Sequence, residues 1–285
     1  MLKTRVITAL VILPIVLIAL FAFPAWAWAM FAFGIAMVAC WEWSRLSQMS
    51  STQAISFLVV SFAISAAICV AYLRVGTGTE FATLQQTVLA IAVVFWMIVA
   101  PLWLANTWHP ASKALRALTG WLVIFPMAVA LISLRAISPW LLLSFAVIIW
   151  VADIAAYFTG KEFGRHKLAP GISPGKTIEG VVGGLAGVVI FFFVWQYLTA
   201  STAIYEQAWV VKMHAHRTAL FLLFVVLALL SVLGDLFESW MKRGAGMKDS
   251  SNLLPGHGGV LDRIDALTST LPLAALYVML MMPAG

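Results

Sequence analysis

The chain has 285 residues, of which 63% are hydrophobic and only 10% are charged. Its mean hydropathy is +1.02. So few charged side chains cannot coat a globule of this length, so the composition excludes a water-soluble protein and indicates a surface covered largely by lipid. The 17 Lys and Arg residues outnumber the 11 Asp and Glu residues, and this basic excess is compatible with nucleic acid, anionic lipid or an anionic substrate.

Apolar segments of near-spanning length follow one another along the whole chain. They are Val6–Phe23, Ala25–Cys40, Ala54–Leu73, Val88–Leu104, Leu118–Leu134, Trp140–Phe158, Val181–Leu198, Ala219–Leu236 and Ala266–Met282. We therefore predict an all-α polytopic membrane protein with about nine transmembrane helices. The first segment resembles a secretory signal, but it is longer than the usual core of ~7–15 residues and a second segment follows at once, which favours an uncleaved span.

The distribution of Lys and Arg residues predicts the orientation of these spans. With the N-terminus inside, thirteen of these residues are cytoplasmic and four are outside. The thirteen are Lys3, Arg5, Arg45, Lys113, Arg116, Lys161, Arg165, Lys167, Lys176, Lys242, Arg243, Lys248 and Arg263, and the four are Arg74, Arg135, Lys212 and Arg217. The N-terminus is then cytoplasmic, the C-terminus is periplasmic, and both long polar loops, 160–180 and 241–265, lie on the cytoplasmic side. Cations beside membrane spans favour anionic lipids and substrates, and we expect no nucleic-acid partner.

Polar side chains divide the chain unevenly. Residues 1–135 carry few of them within their spans and are predicted to be a scaffold of transmembrane helices. Residues 136–285 interrupt their spans with carboxylates and with two loops rich in glycine and cations, so we expect the chemistry there. Gly180, Gly183, Gly184 and Gly187 have the spacing of close helix packing.

The first polar cluster begins with Asp153 inside an apolar segment. A carboxylate costs ~2.5–3.5 kcal/mol at the bilayer centre, so Asp153 requires a cation partner or a wet cavity. Residues 171–177 read Gly-Ile-Ser-Pro-Gly-Lys-Thr, but Pro170 replaces the first glycine of a nucleotide-binding loop and we expect no preceding strand. Lys176 and open backbone amides can still bind an anion, and a merely solvated basic loop is the alternative.

The second polar cluster is more specific. Asp235, Glu238, Ser239 and Lys242 recur at i, i+3, i+4 and i+7, which predicts one polar stripe at a helix end. Asp262 and Asp265 stand three residues apart at the start of the last segment and are expected to face the same interface. Carboxylates without a His or Cys cluster suit Mg²⁺ bound together with phosphates, so we predict that Asp235 and Asp262 hold Mg²⁺, with a second cation left open.

Two residues of this cluster have open assignments. Asp265 could be part of the site or could simply cap the last helix. His257 could act as a general base, but a phosphate monoester is already mostly dianionic at neutral pH, which favours hydrogen bonding or loop folding for this residue.

The second cluster resembles the signature of the phosphatidate cytidylyltransferase family, the CDP-diacylglycerol synthases. The matching residues are Ser239, Lys242-Arg243, Lys248-Asp249, Leu254-Pro255, His257-Gly258-Gly259 and Asp262-Arg263-Ile264-Asp265. The first cluster is similar to the upstream region of the family through Asp153, Tyr157, Gly160, Lys167-Leu168-Ala169-Pro170, Ser173-Pro174, Lys176-Thr177 and Glu179-Gly180; Gly175 stands where some members carry a lysine.

The resemblance implies an enzyme of a bacterial inner membrane that transfers CMP from CTP to phosphatidate, with Mg²⁺, giving CDP-diacylglycerol and pyrophosphate for phospholipid synthesis. It leaves a homodimer open. We expect catalytic roles for Asp235, Asp262, Lys242, Arg243, Lys248 and Arg263. We expect substrate binding by Lys176, Ser173, Thr177, Asp153, Glu179, Ser239, Asp249, His257, Gly258, Gly259 and Asp265. The alternatives are a transporter, a CDP-alcohol phosphotransferase, whose Asp-rich helix motif is missing here, and a lipid kinase.

Overall fold

The structure is a computed structural model that describes residues 2–75, 79–202 and 206–282. Its helices are α1 (Leu2–Ala22), α2 (Ala25–Leu46), α3 (Ser51–Val75), α4 (Thr79–Val94), a π-helical turn (Phe95–Val99), α5 (Ala100–Ala105), α6 (Lys113–Ile137), α7 (Pro139–Phe163), α8 (Ile178–Ala200), α9 (Ala208–Ala215), α10 (Arg217–Gly244) and α11 (Leu261–Met281). Two short strands, β1 (Lys167–Ala169) and β2 (Ser173–Thr177), precede α8.

The predicted polytopic helical fold is confirmed. Eight helical stretches in the described part of the chain are long and apolar enough to cross a membrane, and Val6–Ala22 of α1 forms a shorter apolar helix. One of the eight is Phe81–Ala105, in which α4, the π-helical turn and α5 run on without a break. Every predicted apolar segment lies on one of these helices, except that Phe23 and Met282 each fall just past a helix end. The orientation of the bundle stays a prediction.

Two elements were not predicted. The loop after α7 forms an antiparallel hairpin in which Lys167 pairs with Thr177 and Ala169 with Ser173. The expectation that no strand would precede residues 171–177 was therefore wrong, because β1 lies directly before them. The turn at Pro170-Gly171 allows this hairpin because proline and glycine both favour chain reversal. The second element, α9, is a short helix that contacts α10. Neither element has the length of a spanning segment, so hydropathy alone does not reveal it.

The glycines of α8 let it pack closely against α7. A Cβ atom on Gly184 would lie 3.0 Å from the carbonyl oxygen of Ala152, and one on Gly187 would lie 2.6 Å from the Cβ atom of Ala155. The packing interpretation of these glycines is therefore confirmed. Because α7 carries Asp153 and α8 continues directly from β2, this seam places the hairpin beside the carboxylate.

An aromatic cluster fixes α10 on the side away from its polar stripe. The buried ring of Phe237 makes edge contacts with Phe95, Trp96 and Trp103 at centroid distances of 5.5, 5.4 and 5.4 Å. All three partners lie on the span formed by α4, the π-helical turn and α5. Edge-to-face aromatic pairs hold a defined geometry, so residues from the first 135 set the rotation of α10 and hence the direction of the stripe.

We expect Gly187→Leu to lower the free energy of unfolding by about 1–3 kcal/mol, because overpacking a close seam displaces its neighbours. Thermal unfolding in detergent measures this. Gly34→Leu is the matched control, because Gly34 lies on membrane helix α2 with nothing within 4 Å of its Cβ position. Equal melting temperatures for the two variants would contradict the packing role of the seam.

Candidate active site

The first part of the site joins the hairpin to α10. Lys176, on β2, places its ammonium nitrogen 2.7 Å from Oδ2 of Asp235, and the hydroxyl of Ser239 donates to Oδ1 of Asp235 at 3.1 Å. The side chain of Asp235 is still 40% exposed. Asp235 therefore forms an ion pair with Lys176, and part of its carboxylate stays accessible to a ligand.

These residues line a cavity of about 500 Å³, here called the first cavity, between α7, α8, α10 and β2. Its polar lining includes Asp153, Lys161, Ser173, Lys176, Thr177 and Asp235, and its apolar lining includes Ala156, Tyr157, Val181 and Val232. Asp153 interacts electrostatically with Lys176 and more weakly with Asp235 and Arg263. Asp153 thus lines a cavity that also contains Lys161 and Lys176, and its need for a cation partner or a wet cavity stays a prediction.

A second cavity of about 490 Å³ lies over the loop between α10 and α11. Lys248, Asp249, Asn252, Leu254, Pro255, Gly256, His257, Gly258 and Arg263 line it. A bridge from Leu254 to Gly258 closes the loop, and Gly258 has φ +84°, a conformation that glycine adopts without strain. The ring nitrogen Nδ1 of His257 is buried and makes no hydrogen bond with the residues that the structure describes.

A buried ion network joins α10 to the start of α11. The ammonium group of Lys242 lies 2.5 Å from Oδ1 of Asp262 and also pairs with Glu238. Oδ2 of Asp262 accepts hydrogen bonds from the amide of Ser250 at 2.9 Å, from its hydroxyl at 2.9 Å and from the amide of Gly259 at 2.8 Å. The side chain of Asp262 is 3% exposed, so in this conformation both of its oxygens are engaged in holding the loop.

The remaining predicted residues lie around these two cavities. Thr177 caps α8 by accepting from the amide of Gly180 at 3.1 Å while also lining the first cavity. Glu179 accepts hydrogen bonds from the amides of Arg165 and His166, so it holds the base of the hairpin. Arg243 donates to the carbonyl oxygens of Ile172 and Met247, at 3.4 and 3.3 Å, and so connects the hairpin to the second loop.

Asp265 does not cap α11. The helix begins at Leu261, four residues earlier, and Oδ1 of Asp265 accepts from the amide of Ala266 at 2.8 Å. The capping alternative is therefore wrong, because by this position the helix has already made its first full turn. The charge of Asp265 is close enough to those of Asp235 and Glu238 for the carboxylates to repel one another. Asp265 therefore belongs to the same cluster of carboxylates.

Sequence reasoning missed Glu42, which provides the cap instead. This residue is completely buried on α2. Its carboxylate accepts from the amides of Val260 and Leu261 at 2.9 and 2.6 Å and from the hydroxyl of Ser251 at 2.6 Å. The predicted apolar segment ends at Cys40 and does not include Glu42, although a lone carboxylate between Trp41 and Trp43 is unusual in a helical run.

The carboxylates fit a hydrated magnesium ion better than a closed protein cage. Within 2–75, 79–202 and 206–282, no group of three or more His, Cys, Asp or Glu side chains is arranged to hold a metal ion. Mg²⁺ usually keeps several waters and binds through one or two carboxylates together with substrate phosphates. Asp153 and Asp235, which line the same cavity, match this pattern. Asp262 could bind the ion in this way only if its ion pair with Lys242 were broken.

The fold and the site define a polytopic membrane protein with carboxylates and cations grouped at one end of its helices, as anion and phosphate chemistry requires. The chain belongs to the Cytidylyltransferase family, whose model matches residues 3–281. This confirms the family resemblance.

Curated bacterial relatives agree with this assignment. The chain is 35% identical over 288 residues to a phosphatidate cytidylyltransferase of Haemophilus influenzae, covering 95% of this chain and 96% of that protein. It is 38% identical over 283 residues to a protein of the same name from Pseudomonas aeruginosa, covering 96% of each. A phosphatidate cytidylyltransferase of Thermotoga maritima is 44% identical over 126 residues, or 44% of each chain.

The different surroundings of Asp235 and Asp262 predict different effects of removing their charge. Asp262→Asn should lower the free energy of unfolding by about 1.5–3 kcal/mol, the usual value of hydrogen bonds to a charged group, because it weakens the bonds to Lys242 and the loop. Asp235→Asn should change it by less than about 1 kcal/mol, since this side chain is partly exposed. Unfolding in detergent compares the two, and equal destabilisation would contradict the loop-holding role of Asp262.

Proposed function

We propose that this chain is a phosphatidate cytidylyltransferase, which transfers CMP from CTP to phosphatidate and produces CDP-diacylglycerol and pyrophosphate. The observation that carries the proposal is the pair of cation-lined cavities at one end of a membrane helix bundle, in a chain whose relatives of nearly equal length bear that name. Two anionic substrates must meet in this reaction, and two cavities with separate cations are suited to it.

The first cavity is proposed to receive the phosphatidate headgroup. Its apolar wall of Ala156, Val181 and Val232 lies on helices that are long enough to span the bilayer, and Lys176 stands beside it. Acyl chains gain ~0.8 kcal/mol for each buried CH₂ group, so they should stay in lipid while only the headgroup enters. Lys176 would then neutralise the phosphate.

The second cavity is proposed to receive the triphosphate of CTP. Lys248 and Arg263 supply positive charge there. The buried Nδ1 atom of His257 has no protein partner among the described residues, and a phosphate oxygen would satisfy it once the ring nitrogen carries a proton. Arg263 also interacts electrostatically with Asp153 of the first cavity, which supports a junction of the two substrates near this arginine.

In the proposed reaction a phosphatidate oxygen attacks the α-phosphorus of CTP in line with the departing pyrophosphate, and no covalent enzyme intermediate forms. Lys176, Arg263 and Lys248 hold the two anions together against their repulsion. Asp235 and Asp153 would hold Mg²⁺, with Asp262 joining them if it exchanges its bond to Lys242, and the ion supplies further charge neutralisation when bound. A second cation is compatible with the remaining carboxylates.

The site is proposed to face the cytoplasm of a bacterial inner membrane. The cations of both polar loops support this orientation through the positive-inside tendency, and CTP is a cytoplasmic nucleotide. The chain would then act in the membrane in which phospholipids are made.

The direct test is transfer of label from CTP to lipid. Purified protein in detergent, given CTP labelled at the α-phosphate, phosphatidate and Mg²⁺, should move the label into the lipid fraction with equimolar release of pyrophosphate. Asp235→Asn should abolish the transfer while the protein still inserts. Formation of CDP with a phosphorylated lipid would indicate a lipid kinase instead, and absence of any turnover by well-folded protein would overturn the proposal.

A second experiment tests the assignment of the first cavity. Lys176→Met should lower kcat/KM for phosphatidate about 10-fold to 100-fold, because it removes a charge-assisted contact of about 1.5–3 kcal/mol. The KM for CTP should change less. Lys167→Met is the matched control, since Lys167 is exposed on the neighbouring strand and does not line the cavity. A larger effect on CTP than on phosphatidate would reverse the assignment of the two cavities.

A further inference from the structure

We infer that Glu42, on α2, is a positioning residue for the reaction, because its carboxylate holds the loop and the helix start that carry Asp262 and Arg263. This inference rests on the proposed function. It places one positioning group in the part of the chain that is predicted to be a scaffold.

The contacts of Glu42 show how it acts on the loop. One oxygen accepts from Ser251 and from the amide of Val260, and the other accepts from the amide of Leu261. The first amides of a helix have no partner within the helix, and the N-cap residue of α11, Val260, provides no side-chain cap of its own. Glu42 therefore caps α11 from another helix.

Glu42 and Asp262 hold the same loop from two sides. Asp262 binds Ser250 and Gly259, and Glu42 binds their chain neighbours Ser251 and Val260. Gly259 is enclosed at this point, because a Cβ atom on it would lie 2.0 Å from the hydroxyl oxygen of Ser250 and 2.3 Å from Oε1 of Glu42. The loop that lines the second cavity is thus held at Ser250-Ser251 and again at Gly259-Val260.

The burial and charge of Glu42 indicate a role beyond the stability of α2. It is 0% exposed, and none of the ion pairs found within the described ranges includes it. It also lies near the C-terminal end of its own helix, where the helix dipole disfavours an anion. Its favourable electrostatic partner is the N-terminal end of α11, so the carboxylate is best explained by the position of that helix.

Two cations of α6 hold the C-terminal end of α2, the helix that carries Glu42. Lys113 donates to the carbonyl oxygens of Ser47 and Gln48, at 3.1 and 2.7 Å, and Arg116 donates to that of Ser47 at 3.1 Å. These bonds fix the end of α2 just beyond Glu42. Helix α6 therefore holds the end of α2, and Glu42 of α2 holds the loop before α11.

The test uses Glu42→Gln, which keeps the size of the side chain but replaces one acceptor oxygen by a donor. That donor must face an N–H or O–H donor, so one contact is lost. After transfer of CMP by the wild-type protein has been measured, kcat per folded protein at saturating substrates should fall about 10-fold to 100-fold, because a misplacement near 1 Å can lower a rate by about 100-fold. The KM for phosphatidate should stay within about twofold, because Glu42 does not touch the first cavity.

Hydrogen exchange without substrates provides a readout that does not depend on turnover. Peptides covering residues 258–262 should exchange faster in Glu42→Gln, whereas peptides from α7 and α8 should not change. Ser44→Ala is the matched control, since Ser44 is buried on the same helix and its hydroxyl donates to the carbonyl oxygen of Trp41; this variant should behave like wild type in both measurements.

The outcomes separate the two proposals. If the wild-type protein transfers no CMP, the proposed function fails, and the exchange data alone still decide whether Glu42 holds the loop. If the wild-type protein is active and Glu42→Gln keeps kcat within about twofold with unchanged exchange at residues 258–262, the positioning role is wrong. A loss of activity matched by an equal loss of folded protein, with normal kcat for the remainder, would also overturn it.

Discussion

A single buried ammonium group, that of Lys242, holds the polar end of this protein together. It lies between Glu238 on its own helix and Asp262 on the next, with only 11% of its side chain exposed. A buried charge is tolerated only when it is paired and hydrogen-bonded, so α10 and α11 must stay in register for Lys242 to remain paired. The remaining oxygen of Asp262 folds the loop between them, and the second cavity exists because that loop is folded.

The two halves of the chain meet at the site. The core of buried apolar residues runs through helices of both halves, and the rotation of α10 depends on aromatic side chains from the span that ends with α5. Glu42 extends this dependence to the chemistry itself, because it holds the start of α11. The division at residue 135 stays a prediction from sequence polarity, and buried apolar residues from both sides of it share one core.

Close helix packing and the hairpin together form the first cavity. Glycine on α8 allows α7 to approach, and the hairpin that enters α8 carries Lys176 toward Asp235 on a third helix. Their combination places a carboxylate of α7, a cation of the hairpin and a carboxylate of α10 around one space, next to an apolar wall.

The sequence by itself determined the membrane class, the position of the spans and most of the polar residues around the two cavities. Hydropathy reports burial in lipid directly, and the stripe from Asp235 to Lys242 follows from helical periodicity alone. Periodicity cannot show which carboxylate has all its oxygens hydrogen-bonded and which is accessible to a ligand, because the bonding partners lie far away in the chain. Only the tertiary structure decided that Asp262 is engaged by Lys242 and the loop, that Asp235 is partly exposed, and that Glu42, more than 200 residues from its amide partners, caps the last helix. The physical reason is that a buried polar group must find partners wherever the fold brings them, and contacts of that separation leave no pattern in one sequence.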